Sequence, residues 1–175
     1  GRLECRALDA GQHMVYDVDD ALPYDPSSSR RRRSVRAASH ADVVFAGNDY
    51  LMELYSDLGC RTAYVPSCVD TADGPLPLRP CTDDRVTIGW IGSATTIAHL
   101  ETLAPVLADP VVRRVARFAV MGPSTLPATL AGLVDHTVWS LTAERPFLSS
   151  CDIGMMPLPD DAWSRGKCAY KLLQF

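Results

Sequence analysis

The stretch VTIGWIGSATTIAHLETLAPVL, residues 86–107, decides the fold. Its first six residues, Val86 to Ile91, form an apolar run short enough for a buried strand. A turn of small residues follows, Gly92-Ser93-Ala94-Thr95-Thr96, and then Ile97, Leu100, Leu103, Ala104 and Leu107 recur at the spacing of one helical face. Pro105 is expected to kink that helix. A strand entering a helix through a tight turn is the unit of a parallel sheet covered on both faces.

The same alternation extends in both directions. Upstream, strands are predicted at Val15 to Val18, Val43 to Ala46 and Thr62 to Val65. Asn48 is placed to cap a helix that carries Leu51, Leu54, Tyr55 and Leu58 and stops at Gly59. Pro23, Pro26 and Ser27 to Ser29 predict a loop, with Arg30 to Arg33 on it. Downstream, strands are predicted at Phe118 to Met121, Thr137 to Trp139 and Asp152 to Met156, with a short helix near Arg145 to Ser150 and a last helix opening at Lys167. Between the halves, residues 70–85 carry Gly74, Pro75, Pro77 and Pro80 without apolar periodicity and read as a linker. The expected architecture is α/β: two Rossmann-like parallel-sheet domains, both incomplete, spanning 1–69 and 86–175.

Composition bounds the function. The chain of 175 residues is 47% hydrophobic and 22% charged, with a net charge of −4, so it can bury a core and offers no global field for nucleic acid. Its cysteines, Cys5, Cys60, Cys68, Cys81, Cys151 and Cys168, form no CxxC pair and are expected to be reduced and mostly buried. No apolar run reaches the roughly 18 residues of a membrane span, so a cytoplasmic protein is expected. Both ends look cut: the chain starts without Met and stops inside what reads as a continuing helix.

Ligands of open parallel sheets sit beyond the carboxyl ends of the strands, and the candidate residues lie there. Gly92, Ser93 and Thr95 offer backbone N–H and hydroxyl donors to a phosphate, although the turn is neither GxGxxG nor a P-loop. Gly166 permits close backbone approach at the expected helix start. Lys167 and Lys171, the lysines of the sequence, stand four apart and would share one helical face toward a diphosphate. Glu144 follows the strand ending at Trp139, where a carboxylate meets a ligand hydroxyl. Asp17 and Asp19 at the end of the first strand would suit Mg²⁺ and a phosphatase, but Ala21 stands where that signature wants Thr. The arginine run reads as a solvated loop, with contact to an acidic acceptor or to anionic lipid at the inner membrane face as the alternative.

Five stretches together resemble the retaining GT-B glycosyltransferases of family 4: VYDVDDAL, ADVVFAGNDYLMELYSDLG, YVPSCVDT, VTIGWIGSATTIAHLETLAPVL and CDIGMMPLPDDAWSRGKCAYKLLQF. The resemblance implies an acceptor half before Asp70, a donor half binding a nucleoside-diphosphate sugar from about Arg85, a hydroxyl acceptor and no metal. It maps the diphosphate onto Gly92 to Thr96 and Gly166 to Gln174. Ser93 and Thr95 stand where many members carry a basic pair, and Gly166 and Gln174 where many carry glutamates. Gln174 can still hydrogen-bond a hydroxyl. The family's catalytic His would lie upstream of Gly1, so no catalytic residue is nominated. A non-catalytic nucleotide-binding module and a sugar-nucleotide epimerase remain alternatives.

Overall fold

The computed structural model describes residues 13–71, 74, 76 and 84–175. The chain forms two units, one from residues 1–68 and 159–168, the other from 69–158 and 169–175. The segment 159–168 thus clusters with the first unit, although the sequence places it with the donor half. Most of the expected linker 70–85 lies outside the described residues.

In the first unit three parallel strands, β1 (Val15–Val18), β2 (Val43–Ala46) and β3 (Thr62–Tyr64), lie in the order β1-β2-β3. Helix α1 (Ser28–His40) connects β1 to β2, and α2 (Asp49–Asp57) connects β2 to β3. Their core joins Val18, Val44 and Ala46 from the strands to Ala38, Leu51 and Tyr55 from the helices. Asn48 caps α2, its side chain accepting from Leu51 N–H at 2.8 Å, and Gly59 takes the left-handed backbone (φ +79°) that ends it.

Helix α1 corrects the expected loop. Arg30 to Arg33 lie inside it, because Pro26 falls just before the helix and arginine propagates a helix well. Ala37 and Ala38 then supply a narrow buried face.

The second unit is a four-stranded parallel sheet in the order β6-β5-β4-β7, built from β4 (Val86–Ile91), β5 (Ala116–Gly122), β6 (Asp135–Val138) and β7 (Ile153–Gly154). Alternate residues of β5 serve opposite faces: Phe118 and Val120 join Trp90, Leu100 and Leu107 on one side. Ala119 and Met121 join Ile91, Phe147 and Leu148 on the other. Both faces are therefore apolar and covered, which is why the strands read as continuous apolar runs.

The helix expected over 97–107 is two shorter ones, α3 (Ile97–Glu101) and α4 (Ala104–Ala108). Pro105 sits in the first turn of α4, where its missing N–H costs nothing, so the chain breaks before it rather than bending. Helix α5 (Pro110–Val115) is capped by Asp109, whose carboxylate accepts from Val111 and Val112 N–H. Helix α6 (Leu141–Ser149) precedes β7, and α7 (Tyr170–Gln174) ends the described chain.

Candidate functional site

Strand order locates the site. The chain runs outward from β4 through β5 to β6 and then returns to the free side of β4 with β7. The reversal between β4 and β7 is a topological switch point, and in open α/β sheets ligands occupy the crevice beyond the strand ends there.

The turn Gly92 to Thr96 leaves β4 at that point. Ser93 N–H donates to Thr96 Oγ1 at 3.0 Å, and the Ser93 and Thr95 hydroxyls lie 2.8 Å apart, both side chains exposed. A Cβ on Gly92 would collide with the Trp90 indole. The glycine therefore has a packing role, letting Trp90 lie beneath the turn. The Lys171 Nζ stands 5.9 Å from the centroid of that same indole, within reach of its negative face.

Glu144 comes from α6, whose N-cap Ser140 accepts from Ala143 N–H at 3.2 Å. Its Oε2 accepts from Trp139 Nε1, and its Oε1 accepts from Gln174 Nε2 at 2.9 Å. Lys171 and Gln174 lie three apart on α7, so one short helix contributes to both contacts. The second unit thus brings Gly92, Ser93, Thr95, Glu144, Lys171 and Gln174 to the carboxyl side of its sheet. Trp90 and Trp139 support the group, and in the sequence only their positions near strand ends distinguish them.

Gly166 and Lys167 belong to the first unit. The last helix opens at Tyr170, not Lys167, because Ala169 adopts the left-handed region (φ +56°). The two lysines consequently do not share a helical face. Gly166 ends a 3₁₀ turn over Ser164–Gly166, and a Cβ on it would stand 2.6 Å from the backbone nitrogen of Ala21. Lys167 Nζ donates to Asp20 Oδ1 at 2.6 Å and lies 4.9 Å from the centroid of the Trp163 ring. Asn48, besides capping α2, donates from Nδ2 to the carbonyls of Gly166 (3.2 Å) and Lys167 (3.3 Å).

Asp17 and Asp19 are exposed at the end of β1. Among the described residues no group of three or more His, Cys, Asp or Glu is arranged to hold a metal ion. The cysteines are less buried than expected: Cys60, Cys151 and Cys168 are half-buried thiols, and Cys68 is an exposed one. Cys5 and Cys81 lie outside the described residues. Burial pushes the thiols of Cys60 and Cys168 up from their ordinary value. Among the described residues no helix is long and apolar enough to cross a membrane.

No protein-family model matches the chain, and no curated protein sequence matches it. Among solved structures it is similar to TarM, with a TM-score of 0.56 at 10% identity over 82% of this chain and 31% of TarM. It is similar to the lipopolysaccharide outer core galactosyltransferase WaaB, with a TM-score of 0.52 at 14% identity over 81% of this chain and 41% of WaaB. It is also similar to OtsA, with a TM-score of 0.55 at 13% identity over 89% of this chain and 49% of OtsA. The chain spans less than half the length of each of these proteins. At such identities the likeness is one of fold alone, and the fold is mixed α/β with incomplete Rossmann-like parallel-sheet units of GT-B type.

Proposed function

We propose that this chain is the internal part of a glycosyltransferase that moves a sugar from a nucleoside-diphosphate sugar to an acceptor hydroxyl with retention, and that its second unit holds the donor. The observation that carries this reading is the meeting of Lys171, the Glu144–Gln174 pair and the Gly92 turn at the switch point of the four-stranded sheet. The order of the five sequence stretches supports the assignment to family 4 and, through it, the retaining outcome.

The roles follow from chemistry. The Lys171 ammonium opposes the charge that grows on the departing diphosphate, a role a metal ion fills in other transferases. The exposed hydroxyls of Ser93 and Thr95 and the N–H groups of their turn complete the phosphate contacts. Glu144, positioned by Trp139, accepts from sugar or ribose hydroxyls, and Gln174 both donates and accepts. Lys167 is left out of the donor set because it belongs to the first unit, where its ammonium pairs with Asp20.

Calorimetry of the full-length protein with a panel of nucleotide sugars tests the assignment. A saturable exothermic signal that survives EDTA is expected, and its absence for every donor removes the reading. The Glu144–Gln174 hydrogen bond also suits a non-catalytic nucleotide-binding module, since it satisfies both side chains without a sugar. Sugar transfer by the intact protein excludes that alternative.

A further inference from the structure

Three guanidiniums converge where the strands of the second unit begin. Arg85 immediately precedes β4, Arg113 lies in the last turn of α5, and Arg117 is the second residue of β5. Together with Asp135, the first residue of β6, they line a cavity of about 280 Å³. Because β4 is six residues long, the cavity lies roughly 20 Å from the Gly92 turn, at the other end of the sheet.

Neutral oxygens anchor two of these arginines, which fixes their position and leaves their charge. Arg113 donates from Nη1 to the carbonyls of Leu107 and Leu133, each at 3.2 Å, and from Nη2 to that of Gly132 at 3.5 Å. These bonds clasp α4, α5 and the turn before β6. They leave the Nε–H and one Nη2–H of the guanidinium for a ligand. Arg117 is the charged residue of an otherwise apolar strand, and its Nε donates at 2.7 Å to Thr87 Oγ1 on the neighbouring β4. Arg85 and Arg117 have further partners, and a guanidinium with its fork of N–H donors can serve a partner and an oxyanion together. Asp135 is the acidic residue of the lining, and it is exposed.

We propose that this cavity is a binding site for a small tetrahedral oxyanion, either inorganic phosphate or the phosphate group of a small monoester. Adjacent guanidinium N–H groups bind two oxygens of such an anion at once. Three cations against one carboxylate make the lining positive in a chain whose net charge is −4. The helix-end carbonyls nearest the cavity, which would repel an anion, are already engaged by Arg113. The volume falls just below the range of drug-sized ligands, so it suits a phosphate with few further atoms and is too small for a nucleotide sugar. This inference stands independently of the donor assignment.

The test is calorimetric titration of the full-length protein with inorganic phosphate and, separately, with glycerol 3-phosphate, at fixed ionic strength. Saturable binding of phosphate is expected, and Lys171→Ala should leave it unchanged. Arg113→Gln and Arg85→Gln should each weaken it about tenfold, as loss of one charge-assisted contact implies. Arg113→Gln also cuts the carbonyl clasp, so its melting temperature is read first; Arg85→Gln leaves that clasp in place and decides the matter if Arg113→Gln unfolds. Asp135→Asn should tighten binding about threefold by removing the carboxylate from the rim, an effect a purely structural role would not produce. Binding of glycerol 3-phosphate alongside phosphate identifies a monoester site, and its exclusion identifies inorganic phosphate. No saturable binding at millimolar phosphate, unchanged affinity in Arg85→Gln, loss of binding in Lys171→Ala, or weaker binding in Asp135→Asn would overturn the proposal.

Discussion

Lys167 and Lys171 are separated by three residues and serve different units. Lys167 is committed: its ammonium is paired with Asp20 and lies over Trp163, and the carbonyl behind it accepts from Asn48. Lys171 lies over Trp90, on the helix that also contributes Gln174 to Glu144. The left-handed Ala169 separates them. The contrast teaches that spacing alone does not assign a cation to a ligand. What each ammonium does depends on the partner its own unit supplies.

The strongest way to break the contrast is at Gly166. Gly166→Ala forces a Cβ against the Ala21 backbone, so about 3 kcal/mol of stability should be lost from the first unit. Chemical denaturation followed by far-ultraviolet circular dichroism measures it; an unchanged midpoint would mean the close approach is not required. Lys167→Met should cost about 2 kcal/mol in the same experiment, because it leaves the half-buried Asp20 carboxylate without its charge-assisted bond. Gln174→Ala should weaken donor binding by about 1 kcal/mol, as expected for one neutral hydrogen bond, with kcat/KM falling in step.

Ala169→Gly sharpens the comparison rather than breaking it. It should stabilise the chain by up to about 1 kcal/mol, since glycine adopts the left-handed backbone without the Cβ penalty. The smallest effect concerns thiol labelling near pH 8. Exposed Cys68 should react first with a disulfide reagent, while Cys60 and Cys168, whose thiols burial pushes up, lag and gain speed as pH rises.

Much of this fold is legible in the sequence because β4 and β5, apart from Thr87 and Arg117, are apolar or glycine and carry core residues on both faces. Val86 to Ile91 is bounded by turn chemistry at each end, and Asn48 announces its helix through a side-chain cap. Local pattern misleads where tertiary contacts decide. Ser27 to Ser29 look like a loop, yet Ala37 and Ala38 are buried, Ala38 in the core with Val18, Val44 and Ala46 of the strands, and this pulls the arginines into α1. The last helix looks continuous from Lys167, yet residues 166–168 are held by Asn48 and by the seat of Cys168 against Gly47, neither of which local periodicity reveals. Of the candidate site, Glu144 and Gln174 were visible as residue types at strand and helix ends. Their pairing was not, because 30 residues separate them.

The central claim is that the donor diphosphate is held by Lys171 and not by Lys167. Calorimetric titration of the full-length protein and its Lys171→Ala and Lys167→Ala variants with the best-binding nucleotide sugar tests it directly. The account predicts donor affinity about tenfold weaker for Lys171→Ala, as loss of one charge-assisted contact implies, and wild-type affinity for Lys167→Ala with lowered stability. Unchanged affinity in Lys171→Ala, or an equal loss in Lys167→Ala, would contradict it.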